Sequence, residues 1–161
     1  MEDAKDLVCS FFGHRDIVVT EELKKRVYEI VEDLITTKNY TIFLFGGFSD
    51  FDDVCCEVVN ELKIKYPFIS RVFCLHDQRA LDSSRRRRWY PWIKEEKFDE
   101  IIYLPLKFDY YYTSIYFRNV EMINISNYIL FYVTEKERSG AYKAYKYAVK
   151  KKKKFINLYG I

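Results

Sequence analysis

The 161-residue chain is poor in the residues that hold metals, cross-links and tight turns: four cysteines, two histidines, five glycines and three prolines. Cys9, Cys55, Cys56 and Cys74 form no Cys-x-x-Cys pair, and only His14 and His76 remain to complete a ligand set, so no metal site is expected. Cys9 and Cys74 fall in apolar runs and read as buried thiols. Without a disulfide framework the chain reads as a reduced, cytoplasmic domain. No apolar run approaches the length of a membrane span, and the acidic start Met1 to Asp6 lacks the apolar segment of a signal peptide. The net charge of +3 is too small to imply a nucleic-acid partner by itself.

What the chain does have is a series of short apolar runs alternating with helical periods, in a length that suits one core and one domain, residues 1–161. Val8-Cys9-Ser10-Phe11-Phe12 reads as a buried strand broken by Gly13-His14-Arg15. Thr20 can cap a helix whose stripe is Leu23, Val27, Ile30, Val31 and Leu34. Thr41 to Phe45 is nearly all apolar, as in a parallel strand covered on both faces, and stops at Gly46-Gly47. Asp50 is the expected cap of the next helix, which carries Val54, Val58, Leu62 and Tyr66 and ends at Pro67. Ile69 to Leu75 and Phe98 to Leu104 read as further strands, the latter stopped by Pro105.

A helix is expected from Asp109 to about Ile125, with Tyr110-Tyr111-Tyr112 as packing residues and Ile115, Arg118, Asn119 and Met122 on one side. A fifth strand, Asn127 to Val133, leads through a polar loop to Ser139, the expected cap of a helix with the core stripe Ala141, Ala144, Tyr145, Ala148 and Val149. Lys150 to Lys154 reads as a basic helix end, and Phe155 to Leu158 as a last strand. Strands alternating with helices predict an α/β fold, a Rossmann-like three-layer sandwich with a mostly parallel sheet of five to six strands.

Several residues stand out against this frame, each with two readings. Gly13 and Arg15 sit where a strand gives way to a helix, a common way to build an anion site, or simply make a turn. Asp50, Asp52 and Asp53 either cap a helix or supply a carboxylate to a ribose hydroxyl. Arg118 among apolar neighbours needs a partner, either an internal carboxylate or a ligand. Arg85-Arg86-Arg87-Arg88 beside Trp89-Tyr90-Pro91-Trp92 either holds a nucleotide or nucleic-acid strand, or is a solvated loop whose tryptophans fold back on the sheet.

Taken in order, Gly13-His14-Arg15, Gly46-Gly47 with Phe51-Asp52, Arg118-Asn119 and Ser139-Gly140-Ala141 resemble the SLOG superfamily, in particular its single-domain YpsA-like proteins, relatives of the LOG phosphoribohydrolases and the DprA core. The resemblance covers nearly the whole chain. It implies a Rossmann-like domain that binds a nucleotide or nucleotide-derived, ADP-ribose-like ligand as a sensor or regulatory module. It also implies a ligand site of Gly13, His14, Arg15, Gly46, Gly47, Asp52, Arg118, Asn119, Ser139 and Gly140.

The chain departs from the family pattern at Asp50, which stands where a second glycine is usual, and at Arg138-Ser139-Gly140-Ala141. It also lacks the Pro-Gly-Gly-x-Gly-Thr-x-x-Glu signature of the phosphoribohydrolases. N-glycosidic hydrolysis therefore stands as the alternative, with no catalytic residue assigned. Binding of single-stranded nucleic acid through Arg85 to Trp92 is the other alternative. No membrane partner is expected, and homo-oligomerisation is left open.

Overall fold

The structure is a computed structural model and is described for residues 6–104 and 114–160. The chain runs β1 (Leu7–Gly13), α1 (Glu21–Thr36), β2 (Tyr40–Phe45), α2 (Asp50–Lys65), β3 (Ser70–Leu75), a short 3₁₀ turn (Gln78–Leu81) and α3 (Ser83–Trp89). It continues with a second 3₁₀ turn (Glu95–Lys97), β4 (Glu100–Tyr103), α4 (Ile115–Ile125), β5 (Tyr128–Tyr132), α5 (Gly140–Lys150) and β6 (Phe155–Asn157).

The six strands form one sheet in the order β4-β3-β2-β1-β5-β6, and every neighbouring pair is parallel. All the strands therefore point their carboxyl ends to one edge. The order reverses at β1, which pairs with β2 on one side and β5 on the other. Loops leaving β1 and β5 part there in opposite directions, and a crevice opens between them.

The pleat separates the core into two halves. Cys9 and Phe11, then Phe43 and Phe45, face α1 and α2 on one side of the sheet. Phe12 and Leu44 face the other side, where Met122 and Ile123 of α4 and Ala144 and Ala148 of α5 cover them. α1 forms as its sequence dictates: Thr20 Oγ1 accepts the Leu23 N–H at 3.1 Å, and Leu23, Val27, Val31, Leu34 and Ile35 are buried. Each such side chain contributes roughly 1.5–3 kcal/mol by leaving water. Ala144 and Ala148, both fully buried, let α5 lie close to the sheet.

Several expectations need correction. Ser49, not Asp50, caps α2, accepting the Asp52 N–H at 3.0 Å. Asp50 is drawn off by the preceding loop: its Oδ2 accepts the Ile17 N–H at 3.1 Å and its own N–H donates to the Arg15 carbonyl at 2.8 Å. Val149 is exposed, because α5 contacts the sheet through Ala144 and Ala148 and the residue after Ala148 is rotated off that face.

The arginine run is a short helix, not a loop. Asp82 caps it, and Arg86 is buried, donating to the Ala80 carbonyl at 2.9 Å and to Glu95 at 3.0 Å. Nor do the tryptophans fold back on the sheet, since Trp89 and Trp92 are each about two-fifths exposed. Lys153 of the basic tail reaches the Asn124 and Ser126 carbonyls, both at 3.0 Å, and so satisfies the end of α4. Pro105, the predicted helix start at Asp109 and Tyr110 to Tyr112 lie outside the described residues.

Phe11 sits at the centre of the sheet with no exposure, its ring stacked on Phe45 (4.9 Å between centroids) and Phe43 (6.4 Å). Phe11→Ala should cost about 3–5 kcal/mol of stability. Urea denaturation followed by far-ultraviolet circular dichroism measures it, and a loss below about 1 kcal/mol would contradict this packing.

Candidate functional site

The carboxyl edge of the sheet holds a cavity of about 410 Å³, within the size range of small-molecule sites. It is built from four loops. Gly13 and Arg15 follow β1, Gly46 to Ser49 follow β2, His76 and Asp77 follow β3, and Ser139 to Ala141 follow β5. α4 adds Ile115, Arg118 and Asn119, and the segment after α3 adds Tyr90, Trp92 and Ile93. The caps of α2 and α5, Ser49 and Ser139, both line it, so two helix N-termini border one space.

The glycines serve close approach. A Cβ on Gly13 would collide with the ring and Cβ of Phe51, so Gly13 is what lets α2 dock on the end of β1. A Cβ on Gly47 would overlap the Asp52 carboxylate. A Cβ on Gly46 would meet Met122 Sδ at 2.9 Å and Arg118 Cζ at 3.0 Å, so the guanidinium lies directly against the Gly46 backbone.

Three charged groups that line the cavity are buried, Arg118, Asp52 and Asp77. Arg118 is 4% exposed, and its donors find neutral acceptors: Asn119 Oδ1 from Nη2 (3.0 Å) and Nε (3.3 Å), and the Cys74 carbonyl from Nη1 (3.4 Å). Burial pulls this guanidinium below its ordinary value, with the nearby Asp52 charge acting in the other direction. Asp52 is 6% exposed; its Oδ2 accepts the Ser49 hydroxyl at 2.7 Å, whereas its Oδ1 is buried with no hydrogen-bond partner among the described residues. Burial pushes the Asp52 carboxyl up to about 7, against the opposing effects of the Ser49 hydrogen bond and of Arg118; Asp53 adds a smaller upward push.

Nine of the ten residues expected from the sequence line this cavity; His14 is the exception. Its ring is buried behind the wall and joins the loops after β1 and β5. Nε2 accepts the Thr134 N–H at 2.8 Å, so in the neutral ring Nδ1 carries the proton and donates to Ser139 Oγ at 2.8 Å. His14 thus holds the α5 cap in place.

The sequence reading missed the loop after β3. Asp77 there is 1% exposed and fully engaged: burial acts to raise its carboxyl, but hydrogen bonds from Arg79 and the Tyr90 hydroxyl (2.8 Å) bring it below its usual range. Parallel topology was the available signal, because β3 must end at the same edge as β1, β2 and β5. Phe48 was also missed, between the glycine loop and the cap.

The four cysteines are buried free thiols; burial raises each of them, Cys74 to about 12 and Cys56 to about 11, which favours the thiol over the thiolate at neutral pH. Among the described residues no three His, Cys, Asp or Glu side chains gather as a metal site, and no helix is long and apolar enough to cross a membrane.

No protein-family model matches the chain. Over 71 residues it is 31% identical to the uncharacterized SPbeta prophage-derived protein YoqJ of Bacillus subtilis (strain 168), a segment covering 43% of this chain and 42% of that protein. The match thus spans less than half of the relative's length. Among solved structures, DNA processing protein A (DprA) from Streptococcus pneumoniae superposes with a TM-score of 0.57 at 13% identity, covering 93% of this chain and 49% of that one. The Chlamydomonas rheinhardtii Moco carrier protein superposes with a TM-score of 0.54 at 15% identity, covering 96% and 77%. These likenesses show that the chain has a Rossmann-like α/β fold.

The buried Asp52 carboxyl makes stability depend on pH in a definite direction. The unfolded chain releases this proton near its ordinary value of 3.8, whereas the folded chain keeps it to about 7. Asp52 therefore favours the fold most below about pH 4, loses that contribution as pH rises towards 7, and adds no further slope above it. The whole change is on the order of 4 kcal/mol. Urea denaturation at pH 5 and pH 8 should show Asp52→Asn gaining stability relative to wild type at the higher pH. Equal differences at both pH values would mean that Asp52 is ionised throughout.

Proposed function

We propose that the chain is one SLOG-type, YpsA-like domain spanning 1–161, which binds a phosphate-bearing, nucleotide-derived ligand in the crevice between β1 and β5 as a sensor or regulatory module. The observation that carries this reading is the pair of buried, uncompensated groups in one cavity wall. Among the described residues Arg118, a buried cation, donates only to neutral acceptors, and Asp52 Oδ1 is a buried acceptor with no donor. Each arrangement is costly in an empty protein and is repaid when a ligand supplies an anion and a hydroxyl.

The remaining wall fits the same ligand class. Arg15 and the α5 N-terminus at Ser139 and Gly140 favour phosphate, and Asp52 beneath Gly47 favours a ribose hydroxyl. The Moco carrier protein is by its name a small-molecule carrier on the same fold, which is compatible with a binding role.

DprA, a DNA-processing protein by its name, keeps a second reading in view, single-stranded nucleic acid along α3. The arginine run gives it limited support. Arg86 is buried, and Arg87 pairs with Glu95 at 3.2 Å, which leaves Arg85 and Arg88 as the exposed members that form no ion pair among the described residues. Cleavage of an N-glycosidic bond has less support still, because the chain lacks the Pro-Gly-Gly-x-Gly-Thr-x-x-Glu signature and the glutamate it would supply.

Mass spectrometry of small molecules released from natively purified protein tests the ligand class directly, and a nucleotide derivative is the expected finding. Arg118→Met removes the charge at similar volume, so the fold should persist while affinity for ADP-ribose falls by about 1.5–3 kcal/mol in calorimetric titration. Unchanged affinity would reject Arg118 as a ligand group. Incubation with nucleoside monophosphates, NAD or ADP-ribose should release no free base above the blank; multiple turnovers lost in Asp52→Asn would establish the hydrolase instead.

A further inference from the structure

The cavity has an aromatic wall that the phosphate and ribose groups of the proposed ligand leave unused. Phe48 is 52% exposed and Trp92 41% exposed, although their rings touch at 5.2 Å between centroids. Trp92 meets Tyr90 edge-on at 5.2 Å, and the Arg15 guanidinium lies 5.0 Å from the centre of the Phe48 ring. Two large rings left this open to water beside a cavity expose apolar surface that a planar ligand group would cover. Tyr90, which Trp92 meets, is itself tied by its hydroxyl to Asp77 at 2.8 Å.

Three ligand-binding groups meet around one short loop: Arg15 lies over the Phe48 ring, Trp92 touches the same ring, and the Asp52 carboxyl lies beneath Gly47, the residue before Phe48. We propose that Trp92, with Phe48 inclined at 49° beside it, forms a stacking platform for the heterocyclic base of the ligand, with its ribose at Asp52 and its phosphate at Arg15. The ligand class is thus a nucleotide carrying an intact base, as distinct from a sugar phosphate. The platform reads the π-face of the base and not its edge, so preference among bases is weak. This assignment rests on the ligand-binding reading above and adds the base to it.

The test compares ribose 5-phosphate with AMP, GMP, CMP and UMP by calorimetric titration, and follows tryptophan emission in parallel. The four nucleotides should bind at least about fivefold more tightly than ribose 5-phosphate and quench emission. In Trp92→Ala that advantage should fall to within about twofold, with ribose 5-phosphate affinity unchanged, while Trp92→Phe keeps most of it. Trp92 is partly exposed, so the variant should fold, and circular dichroism checks this.

Equal binding of ribose 5-phosphate and nucleotides in the wild-type protein would reject the platform and leave the phosphate site standing. A base advantage that survives Trp92→Ala would likewise reject it. Nucleotide binding that depends on Trp92 but not on Arg15 or Arg118 would keep the platform and reject the phosphate site. No binding of any probe up to about 10 mM would reject both. An oligothymidylate that binds far more tightly than any mononucleotide would assign the platform to a nucleic-acid strand and overturn the proposal.

Discussion

The close approach of α2 to the end of β1 constrains the rest of the site. Gly13 has no Cβ, and the space a Cβ would need is filled by Phe51, which is fully buried. With Phe51 seated there, the next residue, Asp52, is carried under Gly47, where again only a hydrogen fits. Ser49 then serves twice, as the cap of α2 and as hydrogen-bond donor to Asp52. The β2–α2 loop, the buried carboxyl and the positions of Gly47 and Phe48 thus follow from one contact between a glycine and an aromatic ring. Larger residues at Gly13 would lift α2 and displace the carboxyl with it.

Another part of the cavity lining is arranged by α4. Its Met122 and Ile123 pack on the sheet, and this places Arg118 one turn earlier against Gly46. The consequence is a buried cation on α4 and a buried carboxyl in the first turn of α2 that do not form an ion pair among the described residues. A direct pair would stabilise the empty protein and close the crevice; holding the two groups apart costs stability and keeps the crevice available to a ligand. His14 belongs to the same scheme at a distance. It joins the loops that diverge at the switch point and so fixes the gap between them without facing it.

Much of this was legible in the chain. The alternation of apolar strands with amphipathic helices predicted the parallel sheet, because a strand covered on both faces needs apolar residues at every position. Thr20 and Ser139 were readable as caps because helix N-termini need local acceptors. Asp50 was misread as a cap because its acceptor goes to Ile17, a partner 33 positions away. The arginine run was misread because Arg86 is satisfied by Ala80 and Glu95, a pairing that exists only once α3 and the following turn fold together.

What the sequence determined by itself was the kind of each strand and of the helices other than α3, and the edge at which the glycine loops emerge, since local periodicity and capping act over a few residues. The tertiary structure alone decided which of the polar residues at that edge face a common space. Arg118 and Asp52 share a wall, His14 stands behind it, and Trp92 joins Phe48 across 44 residues of chain. Those relations arise from the order in which the strands assemble, and specifically from the reversal at β1, which brings the loop after the fifth strand beside the loop after the first.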